Sequence, residues 1–306
     1  MNTRTDRRRS SRISILAAMV ACAAIGVAAC TPPGPPSTMP ASGRFSSELY
    51  TDAQLTEVTG IVYGTAEDVN GVEVELRLDL YLPPVGGPAA RPAAVLVHGG
   101  SFAWGSRTHM SGTARSYARR GFVAASISYR LDPQSTSNMS RYMSAAVDAV
   151  DDGIESIRWL RSHAATYGID TSRISMIGSS AGGAVALGVA AANDPTPGGP
   201  LGGVSSRIAA AVSTGATLTP GIGTFVTFES TDAPSLMFHH QTDSVTDYTA
   251  AFSKVTCDGL VAAGVPCRFV LQPGSGHIVS MTAGGPYWSN EIGPFLWRHM
   301  KLNAIT

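Results

Sequence analysis

The amino-acid sequence predicts an α/β fold: a doubly wound, mostly parallel sheet with antiparallel N-terminal strands and a minimal lid. Three observations carry this. After Pro83-Pro84, short continuous apolar runs alternate with segments of helical period, as strands buried on both faces alternate with their crossover helices. Before that point two strand-like runs are joined by a turn at Asn70-Gly71, and the second alternates apolar and polar residues, the pattern of a half-exposed antiparallel hairpin. Finally, Gly178-Ser179-Ser180-Ala181-Gly182 lies between a strand-like run and an Ala/Gly-rich helical run. A Gly-x-Ser-x-Gly there is a tight, strained turn that lifts the central hydroxyl above the sheet.

The N-terminus reads as three successive pieces. Residues 1–29 have a basic start (Arg4, Arg7, Arg8, Arg9, Arg12), an alanine-diluted apolar core over 13–27 and a small-residue site before Cys30, the layout of a signal peptide. The apolar stretch is short for a bilayer span. A cysteine directly after such a site resembles a bacterial lipobox, so Cys30 is expected to become the lipidated end of an exported lipoprotein anchored at the cell surface, with plain secretion as the alternative. Residues 30–55 form a linker whose five prolines over 31–42 make a stiff spacer. Residues 56–306 suffice for one well-buried domain.

Within that domain, strands are expected at 58–63, 72–82, 93–97, 122–128, 173–177, 209–213, 235–238 and 268–271. Helices are expected near 110–120, 140–165, 181–192, 246–263 and 288–302. The irregular segment 215–233 is too short for a domain and reads as a rim loop. Removing residues 1–29 takes away five Arg and Asp6, so 22 basic and 22 acidic residues become 17 and 21, a balance of −4. That speaks against nucleic acid, which requires a basic footprint. With Cys22 removed and Cys30 lipidated, Cys257 and Cys267 remain as an even pair. In an exported protein a disulfide between them is expected, two separate buried thiols being the alternative. Nothing in the sequence calls for a metal or another cofactor.

The residues able to do chemistry each follow a strand end, where catalytic groups collect in open α/β sheets. Ser180 is the candidate nucleophile, and a hydroxyl needs a base to attack at neutral pH. His277, in Gly274-Ser275-Gly276-His277 after the last strand, is the candidate base. Asp243, after the strand 235–238, is the candidate acid that orients it. Asp247 suits the start of the following helix better. The order Ser, Asp, His is one of the known triad orders. His98-Gly99-Gly100-Ser101-Phe102 is a glycine loop after the strand 93–97. Its Gly100 N–H, or that of Gly99 or Ser101, together with the Ala181 N–H, would hold an oxyanion. His98 would orient this loop, Phe102 and Trp104 would be either pocket wall or core, and His239 and His240 would line the cleft.

These motifs, with Ser128-Tyr129-Arg130-Leu131 and the run 157–173, resemble the carboxylesterase branch of the α/β-hydrolases, near its hormone-sensitive-lipase-like and bacterial feruloyl or acetylxylan esterase groups. The resemblance covers 58–300. It implies packing roles for Tyr129 and Arg130 and supports Asp243 as the acid, since Thr242-Asp243 and Tyr248 match the family pattern at that strand. Two departures stand out: Ser101 replaces the third glycine of the usual loop, and the long N-terminal cap of the lipase-like group is missing. The implied activity is hydrolysis of short to medium acyl esters, small or polymer-linked, through an acyl-enzyme. With only the 215–233 rim to enclose a chain, acetyl to hexanoyl esters are expected to be preferred over dodecanoyl. Alternatives are a cell-surface acyltransferase, a prolyl-oligopeptidase-type peptidase and, last, a non-catalytic binding module.

Overall fold

The computed structural model describes residues 38–85, 90–192, 201–218, 227–246 and 250–305. The expected signal peptide, Cys30, the first part of the linker, the middle of the 215–233 rim, Asp247 and Tyr248 lie outside the described residues.

Among those residues one eight-stranded sheet forms: β1 (Thr56–Glu67), β2 (Glu73–Leu82), β3 (Arg91–Val97), β4 (Val123–Ile127), β5 (Ile169–Ser179), β6 (Ala210–Thr214), β7 (Ser235–Asp243) and β8 (Cys267–Gly276). Their spatial order is β1-β2-β4-β3-β5-β6-β7-β8. β2 pairs antiparallel with β1 and β4, and every later pairing is parallel.

The period of two along a strand sorts the apolar residues onto two faces. In β3, Ala93, Val95 and Val97 join the core on one side, while Ala94 and Leu96 join the core on the other. Helices α2 (Met139–Ser162) and α4 (Ala181–Ala190) cover the first face, and α1 (Ser111–Ala118) and α6 (Gly293–His299) the second. The short α3 (Ala164–Tyr167) stops at Gly168, whose φ of 65° is the left-handed conformation favoured at a helix C-terminus. Two glycines set how closely α2 and α4 pack. A Cβ at Gly188 would lie 2.5 Å from Val150 Cγ2, and one at Gly153 would lie 2.8 Å from Val185 Cγ1.

Several elements differ from the sequence expectation. β7 and β8 run past the apolar stretches that announce them, because their pairing continues through polar residues to Asp243 opposite Gly276, and β5 is lengthened by pairing at Ile169 with Arg91 of β3 and at Ser179 with Thr214 of β6. The expected 140–165 helix breaks at His163, which leaves α3 as a separate turn. A π-type turn (Trp288–Ile292) precedes α6, which carries Pro294 in its first turn, where a proline costs no hydrogen bond. α5 (Ala250–Ala262) leads into β8, and Cys257 and Cys267 are joined by a disulfide with a Cα–Cα distance of 5.5 Å.

Candidate active site

Ser180 connects β5 to α4 with φ 52° and ψ −124°. Its N–H donates to the Thr214 carbonyl at 2.8 Å, and its own carbonyl accepts from the N–H groups of Gly183 and Ala184 at 2.8 and 3.1 Å. The glycine at 182 is a steric necessity, since a Cβ there would lie 2.3 Å from the Val97 carbonyl oxygen. These contacts fix the hydroxyl at the C-terminal edge of the parallel strands.

His277 follows β8 and faces Ser180. Its Nε2 lies 2.8 Å from Ser180 Oγ and its Nδ1 2.8 Å from Asp243 Oδ2. An ionised carboxylate only accepts, so Nδ1 carries the proton and Nε2 is left to accept from the serine hydroxyl. Asp243 ends β7 with a side chain 1% exposed. Burial alone would raise its carboxyl, but the Thr246 and Val245 N–H groups on Oδ1, each at 2.8 Å, and His277 on Oδ2 bring it below the ordinary carboxylate range. Three residues far apart in sequence therefore form one hydrogen-bonded line. Gly215, just after β6, is the floor under this line, since a Cβ there would lie 2.4 Å from the His277 carbonyl oxygen.

The glycine loop stands opposite. A side chain at Gly99 would lie 3.0 Å from the Ser179 carbonyl oxygen and 3.1 Å from Ser180 Cβ, so the loop passes directly against the serine turn. Gly100, Ser101 and Phe102 take φ values of 120°, 54° and 59° in succession. That run needs external support, and the segment before α2 supplies it. Asp132 N–H donates to the Phe102 carbonyl at 2.9 Å, and Ser135 Oγ to the Ser101 carbonyl at 2.7 Å. Arg141 holds Asp132 in turn, through Nε at 2.7 Å and Nη2 at 2.6 Å. From below, buried His98 donates Nδ1–H to the Gly99 carbonyl at 2.7 Å and stacks on Tyr129 at 4.3 Å, while Tyr129 O–H bonds the His98 carbonyl at 3.0 Å. Arg130 pairs with buried Asp152 of α2, its Nε 2.9 Å from Oδ1.

Phe102 is fully buried and also lines the cleft, so it is wall and core at once. Trp104 is 63% exposed and belongs to neither. His239 lines the cleft although it is almost fully buried, whereas His240 is not among the described lining residues; His239 Nε2 lies 3.5 Å from Asp243 Oδ2, and its Nδ1 donates to the His240 carbonyl at 2.9 Å. The supporting residues Asp132, Ser135 and Gly215 went unnoticed in the sequence. Only the position of Gly215 at a strand end could have singled one of them out. From Ser180 a cleft of about 1040 Å³ opens between α2 and α4.

Residues 78–212 match the protein family model BD-FAE. The chain is 34% identical over 144 residues to an ethyl acetate hydrolase of Pseudomonas putida, covering 44% of this chain and 42% of that one. It is 32% identical over 125 residues to a phenmedipham hydrolase of Pseudarthrobacter oxydans, covering 40% and 24%. The match thus spans less than half the length of these curated relatives. Among solved structures, the butyrate-bound thermophilic esterase Est2 of Thermogutta terrifontis superposes with a TM-score of 0.56 at 23% identity, covering 80% of this chain and 91% of that one. The fold is that of the α/β-hydrolases.

Proposed function

We propose that this chain, an α/β-hydrolase in fold, is a serine carboxylesterase. The observation that carries the reading is the line Ser180, His277, Asp243, with both links at 2.8 Å and the serine raised on a strained turn. Ser180 Oγ attacks the ester carbonyl carbon while His277 Nε2 takes its proton. Asp243 keeps Nδ1 protonated and offsets the charge of the imidazolium that forms. The carbonyl oxygen becomes an oxyanion, held by the N–H of Ala181 at the start of α4 and by that of Gly100, Gly99 or Ser101. His277 then protonates the leaving alkoxide, which departs as the alcohol and leaves an acyl-enzyme. Water, activated by the same histidine, releases the acid and restores Ser180. The matched relatives point the same way: one is named for ethyl acetate hydrolysis, and a structural neighbour was solved with butyrate. Export and lipid attachment at Cys30 complete the proposal and rest on the sequence pattern alone.

Hydrolysis of p-nitrophenyl acetate tests the assignment. Ser180→Ala should lower kcat by roughly 10⁶ in a folded protein, and Asp243→Asn by roughly 10⁴ through loss of the correct His277 tautomer. A Ser180→Ala variant within tenfold of the parent would remove the nucleophile, and with it the mechanism.

A further inference from the structure

We infer that Asp132 and Arg141 are positioning residues for the chemical step: their ion pair fixes the turn that holds the glycine loop, and with it the N–H groups offered to the oxyanion. The inference rests on the serine-esterase reading above. It concerns what keeps the oxyanion donors aimed.

The carbonyls of Gly99, Gly100, Ser101 and Phe102 are each tied down. Gly99 accepts from His98 Nδ1 at 2.7 Å, and Gly100 from the N–H groups of Ala103 and Trp104 at 2.8 and 3.2 Å. Ser101 accepts from Ser135 Oγ at 2.7 Å, and Phe102 from the Asp132 N–H at 2.9 Å. A trans peptide is planar and its N–H points away from its C=O, so anchoring the carbonyls of Gly99 and Gly100 aims the N–H groups of Gly100 and Ser101 the other way. The first two anchors are local to the loop. The last two come from residues 132–135 and act at Ser101 and Phe102, whose φ values of 54° and 59° persist in non-glycine residues only when the surroundings over-determine them.

The turn over 132–135 is itself wound around one carboxylate. Asp132 Oδ1 accepts from the Gln134 N–H at 2.8 Å, and the Asp132 carbonyl accepts from the Ser135 N–H at 2.8 Å. Arg141 grips both carboxylate oxygens as a two-pronged fork, Nε on Oδ2 at 2.7 Å and Nη2 on Oδ1 at 2.6 Å. That bond is the first reason the Asp132 carboxyl lies below the ordinary carboxylate range, so the pair stays charged through the neutral range. Arg141 is the third residue of α2, where the helix dipole disfavours a cation, and its N–H is tied to Asn138 Oδ1 at 3.0 Å. Its charge stands against the preference of its own helix and meets Asp132. Asp132 and Ser135 are buried, whereas the Arg141 side chain is 34% exposed. The loop is thus braced through a residue that small solutes can reach. Because the oxyanion exists only while bonds are made and broken, a loop that drifts weakens the transition state and leaves ester binding nearly unchanged.

The test compares p-nitrophenyl acetate hydrolysis by the parent, Arg141→Ala and Asp132→Ala with the affinity of each for a trifluoromethyl ketone. Ser180 Oγ adds to that ketone carbon, its proton passing to His277, and gives a tetrahedral oxyanion. Arg141→Ala should lower kcat roughly 10- to 100-fold with KM within threefold, and should weaken the ketone by the same factor as kcat. Guanidinium at tens of millimolar, far below denaturing levels, should raise kcat of Arg141→Ala about fivefold and leave Asp132→Ala unchanged. A general loss of stability would not respond in that way. Should Arg141→Ala fail to fold, Ser135→Ala, which removes only the hydroxyl on the Ser101 carbonyl, should show the same split between kcat and KM. The positioning role is overturned by a folded Arg141→Ala with kcat within twofold of the parent, by a rise in KM at unchanged kcat, by ketone affinity unmoved while kcat falls, or by a loss of rate that guanidinium leaves untouched. In those outcomes, turnover abolished by Ser180→Ala would leave the esterase reading standing. A parent that turns over no ester would sink both.

Discussion

Ser180 carries a backbone conformation that costs a non-glycine residue about 1 to 3 kcal/mol, and the structure holds it there by a hydrogen bond at its N–H and two at its carbonyl. The motif around it was readable because only glycine fits at its flanks. Asp243 and His277 were readable for a different reason, their positions just beyond strand ends. His239 was read only as a possible lining residue, since nothing in a sequence shows that its ring turns toward Asp243. At this scale His98 supports a pH prediction. Burial, opposed by its bond to Gly99 and assisted by His109, lowers its pKa to about 4. An unfolded histidine titrates near 6.5, so the unfolded chain binds more protons between those two values. Stability contributed by neutral His98 is complete above about pH 6.5 and is lost as pH falls toward 4, by on the order of 2 to 3 kcal/mol. His299, lowered likewise by burial, adds a second loss in the same window. Urea midpoints at pH 7.5 and 4.5 should therefore differ less in His98→Asn than in the parent. An equal difference in both would show that His98 does not contribute.

Strands β3 and β4 were legible as elements because both faces are covered, so that their residues are almost all apolar, with Ser126 the one polar residue in β4. The outer parts of β7 and β8 were not, since beyond His239 and Leu271 the two strands pair through polar residues and glycine that carry no apolar signal. That extension matters, because it carries Asp243 out to meet His277. The disulfide ties α5 to the start of β8 within the same unit. In the chain-entropy view, closing so short a loop stabilises the fold by about 2 to 3 kcal/mol. Reduction, or the Cys257→Ala/Cys267→Ala pair, should lower the stability measured by denaturant by that amount while leaving kcat for a short ester within twofold. A collapse of kcat without loss of stability would mean that the bridge sets the geometry of the site rather than the stability of the fold.

Over the whole molecule, the strand order and the meeting of Ser180 with His277, 97 residues apart, follow from one sheet topology that the alternating pattern implied. The α2–α4 cleft was illegible, because its walls come from two stretches whose small residues read separately as ordinary helix formers. Among the described residues no helix is long and apolar enough to cross a membrane. The proposed membrane association rests on the sequence pattern at Cys30, and Cys30→Ser should move the protein from the membrane to the soluble fraction of an expressing bacterium. Unchanged fractionation would refute lipid anchoring. The most direct test of the central claim is covalent labelling with a fluorophosphonate, followed by intact mass and peptide mapping. The account predicts one label per chain, placed on Ser180 and absent from folded Ser180→Ala. A label on another residue, or none on a folded protein that hydrolyses esters, would contradict it.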